Sequence, residues 1–315
     1  MAAGLNPRPD SGPVRVAVVA PGSRSDWVQQ AVEAGGGVVC DLEESEALVW
    51  FGPRDASALA EALEIAGGAK WVHLLGAGVD PFIEVFDHDH IWTSGKGLSA
   101  GPVAEHALAL ALAGLRGLPA YLGSDSWGQP GGVSLHGQTV TVIGGGGIAT
   151  ELLRLLAPFD CDVTVVRRTA SPLAGASRVL VPGRLNEGLS AAQVVFLALA
   201  LTPETRGLIG VAQFEAMPGS AWIVNISRGE HIVTDDLVQA LRTGQIAGAA
   251  LDTTMPEPLP TGHPLWGFAN CIVTPHTATT VKMIRPALAG RLSDNVRRFA
   301  AGREMIGLVD VDAGY

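Results

Sequence analysis

From Val14 onward, short apolar runs alternate with segments whose apolar residues recur at helical spacing. RVAVVA (15–20), VVC (38–40), ALVWF (47–51) and WVHLL (71–75) read as strands, with helices near 25–34 and 55–66 between them, and this first layer ends around IWTS (91–94). Strands that alternate with helices predict right-handed crossovers and a parallel sheet. A long helix follows over about 101–117, with Pro102 in its first turn, where a missing N–H costs nothing. A helix so uniformly apolar must be buried, between domains or between subunits. A second alternating series then runs through TVTVIG (139–144), VTVVR (163–167), VVFLAL (194–199), WIVNI (222–226), IAGAALD (246–252) and CIVTP (271–275), and a final helix covers about 280–302. The pattern predicts an α/β chain of two parallel-sheet layers.

Composition narrows the class. At 315 residues, 47% hydrophobic and 17% charged, the chain suits one large or two medium domains. A net charge of −10 argues against a general binder of nucleic acid or anionic membrane. No run reaches the roughly eighteen apolar residues that a membrane span needs. The Leu/Ala stretch at 107–115 comes nearest, and Glu105, His106 and Arg116 bracket it. The start, MAAGLNPRPDSGP, has no apolar signal core and is expected to trail in solvent. Cys40, Cys161 and Cys271 lack metal-type spacing and read as reduced thiols, so a soluble cytoplasmic protein is expected.

The clearest local signal is TVTVIGGGGIATELLRLL, a strand, a glycine run and an amphipathic helix. Gly144, Gly146 and Ala149 occupy the G-x-G-x-x-G/A positions, with Gly147 and Ile148 opening the helix. The first glycine permits the tight turn, the second lets backbone approach a pyrophosphate, and the third small residue lets helix pack on strand. The next strand ends in VTVVRRT. An acid that holds the ribose hydroxyls of NAD is expected about twenty residues past the fingerprint. Arg167 stands there instead, beside Arg168 and Thr169, and two guanidiniums with a hydroxyl suit a ribose 2′-phosphate. NADP is therefore expected in preference to NAD.

Three ionisable residues flank chain breakers: Arg228 in NISRG, Glu257 in MPEP and His276 in TPHTA. Side chains that chemistry uses are commonly displayed from such loops at strand ends. An Arg forks onto a carboxylate, a His moves a proton near neutral pH, and a Glu holds that His charged. On their own the three are equally readable as surface loop residues.

GAGVD (76–80), VAEHALALALA (103–113), HGQTVTVIGGGGIA (136–149), LTPETRGLIG (201–210), VNISRGEHIV (224–233), ALDTTMPEPLP (250–260) and HPLWGFANCIVTPHTA (263–278) together resemble the D-isomer-specific 2-hydroxyacid dehydrogenases. The resemblance covers about 75–315 in order; the N-terminal third agrees only in pattern. It implies two Rossmann-like, doubly wound parallel-sheet domains of flavodoxin-like kind, the cofactor domain (98–279) inserted into a substrate domain (1–97 and 280–315). It further implies that Arg228 binds the substrate carboxylate and polarises the C2 oxygen, that His276 is the proton donor, and that Glu257 is its partner. Asp252, Ile226 and Ser227 are then expected near the nicotinamide, and the N–H groups of Ala77 and Gly78 at the substrate carboxylate. Family members pack a second subunit on the same apolar helix region, so a homodimer is expected.

The expected reaction is reduction of a small 2-keto acid, glyoxylate or hydroxypyruvate, to a D-2-hydroxy acid. Three readings compete: a broad-specificity 2-keto acid reductase, an NAD-using biosynthetic dehydrogenase of a phosphorylated substrate, with Arg54 and Lys96 as its basic residues, and a non-catalytic dinucleotide sensor. The substrate side chain is expected to face Phe51–Pro53, Leu74–Leu75, Trp266 and Met283. His73, His106, His136 and His231 have no arguable partner, and His88 and His90 of DHDH read as solvated, with no metal site.

Overall fold

Residues 12–20 and 26–315 are described by the structure, a computed structural model. The expected solvent-trailing start and the first residue of the helix expected from 25 lie outside the described residues. The chain divides into two compact units, one running up to Ser99 and resuming at Val281–Tyr315, the other Ala100–Thr280.

The first unit holds β1 (Arg15–Val19), β2 (Val38–Cys40), β3 (Ala47–Trp50), β4 (Trp71–Leu74) and β5 (Ile91–Ser94), with α1 (Asp26–Ala34) and α2 (Ala56–Ile65) between strands. The strands are parallel, in the order β2-β1-β3-β4-β5. Every residue of β3 and β4 is buried, as expected for parallel strands covered on both faces, and so their sequences run apolar instead of alternating. Asp55 caps α2 by accepting the Ser57 N–H at 2.9 Å.

Within this sheet β4 carries a buried histidine. His73 Nδ1 lies 2.8 Å from Thr93 Oγ1, which also accepts the Trp71 indole N–H at 2.7 Å. His73 Nε2 finds no hydrogen-bond partner among the described residues. Burial first, and the Arg291 guanidinium second, push this imidazole down to about 3.

The second unit opens with α3 (Ala100–Leu115) and α4 (Leu118–Leu122). Its strands are β6 (Thr139–Ile143), β7 (Asp162–Val166), β8 (Arg178–Leu180), β9 (Val194–Leu197), β10 (Trp222–Asn225), β11 (Gly248–Leu251) and β12 (Cys271–Val273). Between them run α5 (Gly147–Leu156), α6 (Leu185–Leu189), α7 (Val211–Ala216) and α8 (Thr234–Thr243). The seven-stranded sheet is parallel, in the order β12-β11-β10-β9-β6-β7-β8. The α3 helix packs on α5 and β10 within this unit, so closely that a Cβ on Gly114 would run into the Trp222 indole. These contacts within the unit account for part of the burial that its apolar sequence calls for. The edge strand β8 was not legible, because three residues (RVL) are too few to show a period.

The chain then returns to the first unit as α9 (Val281–Ala300), whose Leu288, Leu292, Val296 and Phe299 join Val14, Val16, Val28 and Trp71 in one core cluster. Beyond it, Leu308 bridges Thr93 antiparallel, Ser94 N–H donates to Gly307 O at 2.8 Å, and Val309 N–H donates to Trp92 O at 3.0 Å.

Candidate active site

The glycine turn after β6 separates two requirements. Gly144 has φ +121°, and a Cβ there would collide with the Ala198 carbonyl, so the fold itself demands glycine. A Cβ on Gly146 would touch no other atom, so packing does not demand glycine here and the space beside it is open to a ligand. Gly147 starts α5 and Ile148 follows it, with Ala149 fully buried against the sheet. The α5 N-terminus presents free N–H groups and the positive end of its dipole beside this turn, which fits a dinucleotide phosphate.

At the end of β7, Arg167 folds over the turn. A Cβ on Gly145 would lie 2.6 Å from Arg167 Cδ, so glycine there lets the arginine pack down. Its Nε donates to Thr169 O at 3.0 Å and its Nη2 donates to Ser171 Oγ. Ser171 is a contact that the sequence did not suggest. Arg168 and Thr169 are exposed beside it.

Arg228 follows β10 at the start of a 3₁₀ turn (Gly229–His231) that a few neighbours staple in place. Asn225, fully buried, donates from Nδ2 to Arg228 O at 2.8 Å and accepts the Ser227 N–H at 3.1 Å. His231 Nδ1 accepts the Arg228 N–H at 3.3 Å, while Nε2 donates to Ala200 O at 3.3 Å. Burial lowers the His231 pKa, which keeps the ring neutral for that bridging role. The half-buried Arg228 side chain donates from Nη1 to Ser227 O at 2.7 Å. Ser227 spends its hydroxyl on the backbone, donating to Leu197 O at 2.6 Å and accepting the Leu199 N–H at 3.1 Å. Ile226 is buried in the core. Both residues shape the wall of the loop from inside the fold.

His276 and Glu257 meet. His276 Nδ1 lies 2.7 Å from Glu257 Oε1, with both side chains about 40% exposed (39% and 41%). Nδ1–H therefore donates to the carboxylate, and Nε2 is the ring atom left to exchange a proton. His276 holds a left-handed backbone, φ +49°, and its N–H bonds to Asp252 O at 2.9 Å and Thr274 O at 3.0 Å. Asp252 anchors this loop: Oδ1 accepts from the Thr274 hydroxyl at 2.6 Å and the Thr277 N–H at 2.8 Å, and Oδ2 accepts from the Ala278 N–H at 2.9 Å. Burial pushes the Asp252 carboxyl up, but the hydrogen bonds from His106, Thr274, Thr277 and Ala278 outweigh it and hold the group at about 2.

In the first unit, Ala77 and Gly78 lie in the loop after β4, Ala77 exposed and Gly78 half-buried. Leu74 and Leu75, expected to face substrate, are instead buried core residues. Trp266 and Met283 are exposed and Phe51 half-buried. Arg54 lies 3.7 Å from Asp80, and Lys96 Nζ lies 3.4 Å from Tyr315 O. His90 pairs with Asp87 at 2.8 Å and His88 with Asp312 at 3.3 Å. Among the described residues no group of three His, Cys, Asp or Glu is arranged to hold a metal ion, and no helix is long and apolar enough to cross a membrane.

The profile of the D-isomer specific 2-hydroxyacid dehydrogenase NAD binding domain matches residues 107–278. The chain is 37% identical over 296 residues to a Corynebacterium melassecola protein described as an uncharacterized protein in the proB 3′ region, covering 90% of this chain and 95% of that one. It is 30% identical over 282 residues to glyoxylate/hydroxypyruvate reductase A of Yersinia enterocolitica, covering 85% and 87%. Among solved structures, a D-isomer specific 2-hydroxyacid dehydrogenase from Xanthobacter autotrophicus Py2, in complex with NADPH and MES, superposes with a TM-score of 0.83 at 28% identity, covering 96% of this chain and all (100%) of that one. With a dinucleotide turn and a paired His and Glu in the same unit, the chain belongs to the D-isomer specific 2-hydroxyacid dehydrogenase family and is an NAD(P)-dependent oxidoreductase.

Proposed function

We propose that the protein reduces a small 2-keto acid, glyoxylate or hydroxypyruvate, to the D-2-hydroxy acid with NADPH. The observation that carries this reading is the 2.7 Å pairing of His276 Nδ1 with Glu257, which orients the ring and leaves Nε2 to work as the acid. NADPH, when bound at the turn after β6, would supply the hydride. The Arg228 fork holds the carboxylate and polarises the carbonyl, and His276 Nε2 passes its proton to the C2 oxygen. Asp252 keeps the His276 loop in place. Arg167, Arg168 and Thr169 support NADPH over NADH, since all three cluster where a 2′-phosphate would add negative charge.

The relatives named as glyoxylate/hydroxypyruvate reductases support the substrate class. A phosphorylated substrate is disfavoured because Arg54 and Lys96 are already engaged within their own unit. For assembly we propose a homodimer, which the exposed apolar side chains of Leu118, Leu122, Trp127 and Val133, close in sequence, support as groups a second copy could cover.

The test is NADPH oxidation against glyoxylate, hydroxypyruvate, pyruvate and longer 2-keto acids, with NADH in parallel. Turnover of the two smallest acids, with kcat/KM higher for NADPH, is expected. His276→Ala should lower kcat by about 10²- to 10⁴-fold with NADPH binding retained. Full activity in that variant would remove His276 from the reaction.

A further inference from the structure

The His276 loop has a support reaching it from outside its own segment. His106 lies on α3, and its Nε2 is 3.1 Å from Thr274 Oγ1 and 3.4 Å from Asp252 Oδ1. The Thr274 hydroxyl donates to Asp252 Oδ1 at 2.6 Å, so the same oxygen accepts from His106 Nε2–H. The polar chain therefore runs His106, Thr274, Asp252, and ends on the N–H groups of Thr277 and Ala278, the two residues after His276. His276 itself takes a left-handed backbone, which costs a non-glycine residue about 1 kcal/mol or more. Such a turn persists only where its surroundings over-determine it. The residues on both sides of His276 are bonded to Asp252, but a carboxylate at the end of β11 still needs something to fix its own direction. Thr274 sits on the same loop and moves with it. His106 does not: α3 is packed on α5 and β10 and gives the network a rigid external post.

We propose that His106 is a positioning residue for His276, acting through Thr274 and Asp252 to hold the proton-donating imidazole in its working pose. The proposal rests on the reading of His276 as the proton donor. It assigns a role to a helix residue whose sequence context, VAEHALALALA, shows only an apolar face.

The test compares His106→Leu, which removes the N–H, with His106→Gln, whose amide N–H reaches the place of imidazole Nε2–H. In the Leu variant kcat should fall about tenfold, with the KM values for NADPH and keto acid within about twofold, as misplacement of a catalytic group predicts. The Gln variant should return to within about twofold of the wild type. Histidine-selective NMR of the holoenzyme, with the His276 signal assigned through His276→Ala, should show that signal moved or split in the Leu variant and restored in the Gln variant. An unchanged His276 signal in His106→Leu overturns the proposal, as does an equal loss of kcat and thermal stability in both variants, which would mark a packing role. If the wild type turned over no 2-keto acid, the reductase reading would fail, and the NMR comparison would still decide whether His106 positions His276.

Discussion

Two neutral side chains, Asn225 and His231, brace the Arg228 backbone. Asn225 ties the Arg228 carbonyl to the end of β10, and neutral His231 ties the Arg228 N–H to Ala200. Removing the first of these should hurt catalysis without touching the guanidinium. Asn225→Ala is expected to lower kcat/KM for the keto acid by about 10- to 100-fold, since small misplacements of a binding group have costs of this size. The Kd for NADPH, followed by fluorescence titration, should stay within about twofold; equal losses in both would mean that the whole turn had collapsed. Arg228, Glu257 and His276 were legible because each stands beside Gly or Pro in a polar loop. Asn225 and His231 were not, because their partners are backbone groups, which leave no mark on residue type. The one available hint was spacing: His231 falls three residues after Arg228, one 3₁₀ turn away.

The turn between β6 and α5 makes a prediction at the scale of an element. The fold demands glycine at 144 and not at 146, so the same substitution should act differently at the two positions. Gly144→Ala puts a Cβ against the Ala198 carbonyl at φ +121° and should cost more than about 1–3 kcal/mol, seen as a lowered Tm or loss of soluble protein. Gly146→Ala meets no protein atom and should cost at most about 1 kcal/mol, yet weaken dinucleotide binding at least tenfold. Thermal melts paired with NADPH titrations check both, and a Gly146→Ala protein that binds NADPH normally would refute the assignment. Most elements were visible in the sequence because buried parallel strands read as apolar runs between amphipathic helices. The exceptions were β8, too short to show a period, the helices α4, α6, α7 and α8, which no predicted segment covers, and the setting of α3. An all-round apolar helix announces burial, but composition does not say against what; here α5 and β10 are part of the answer.

At the scale of the molecule, the buried His73 makes stability sensitive to acid. His73 titrates at about 3 in the folded protein against an ordinary 6.5. Between those values the unfolded chain binds more protons, so stability is full above 6.5 and falls as pH drops toward 3, by up to about 1.4 kcal/mol per pH unit for this group. Asp252 acts in a separate window: its depressed pKa adds stability above its ordinary 3.8 that is lost only as pH falls toward about 2. Urea melts at pH 7 and pH 5 should therefore show a drop in wild-type stability that is smaller in His73→Leu. Equal slopes in the two proteins would take His73 out of the account.

The return of α9 to the first unit carries a consequence for biosynthesis. Leu288, Leu292, Val296 and Phe299 complete a core whose other walls come from the first hundred or so residues, and the whole of the second unit is translated between them. On a ribosome that emits the chain from its amino end, β1 to β5 emerge first but wait, with one face open, until the final helix leaves the tunnel. The unit that begins first is finished last, and a nascent chain arrested anywhere before about residue 300 exposes that apolar face.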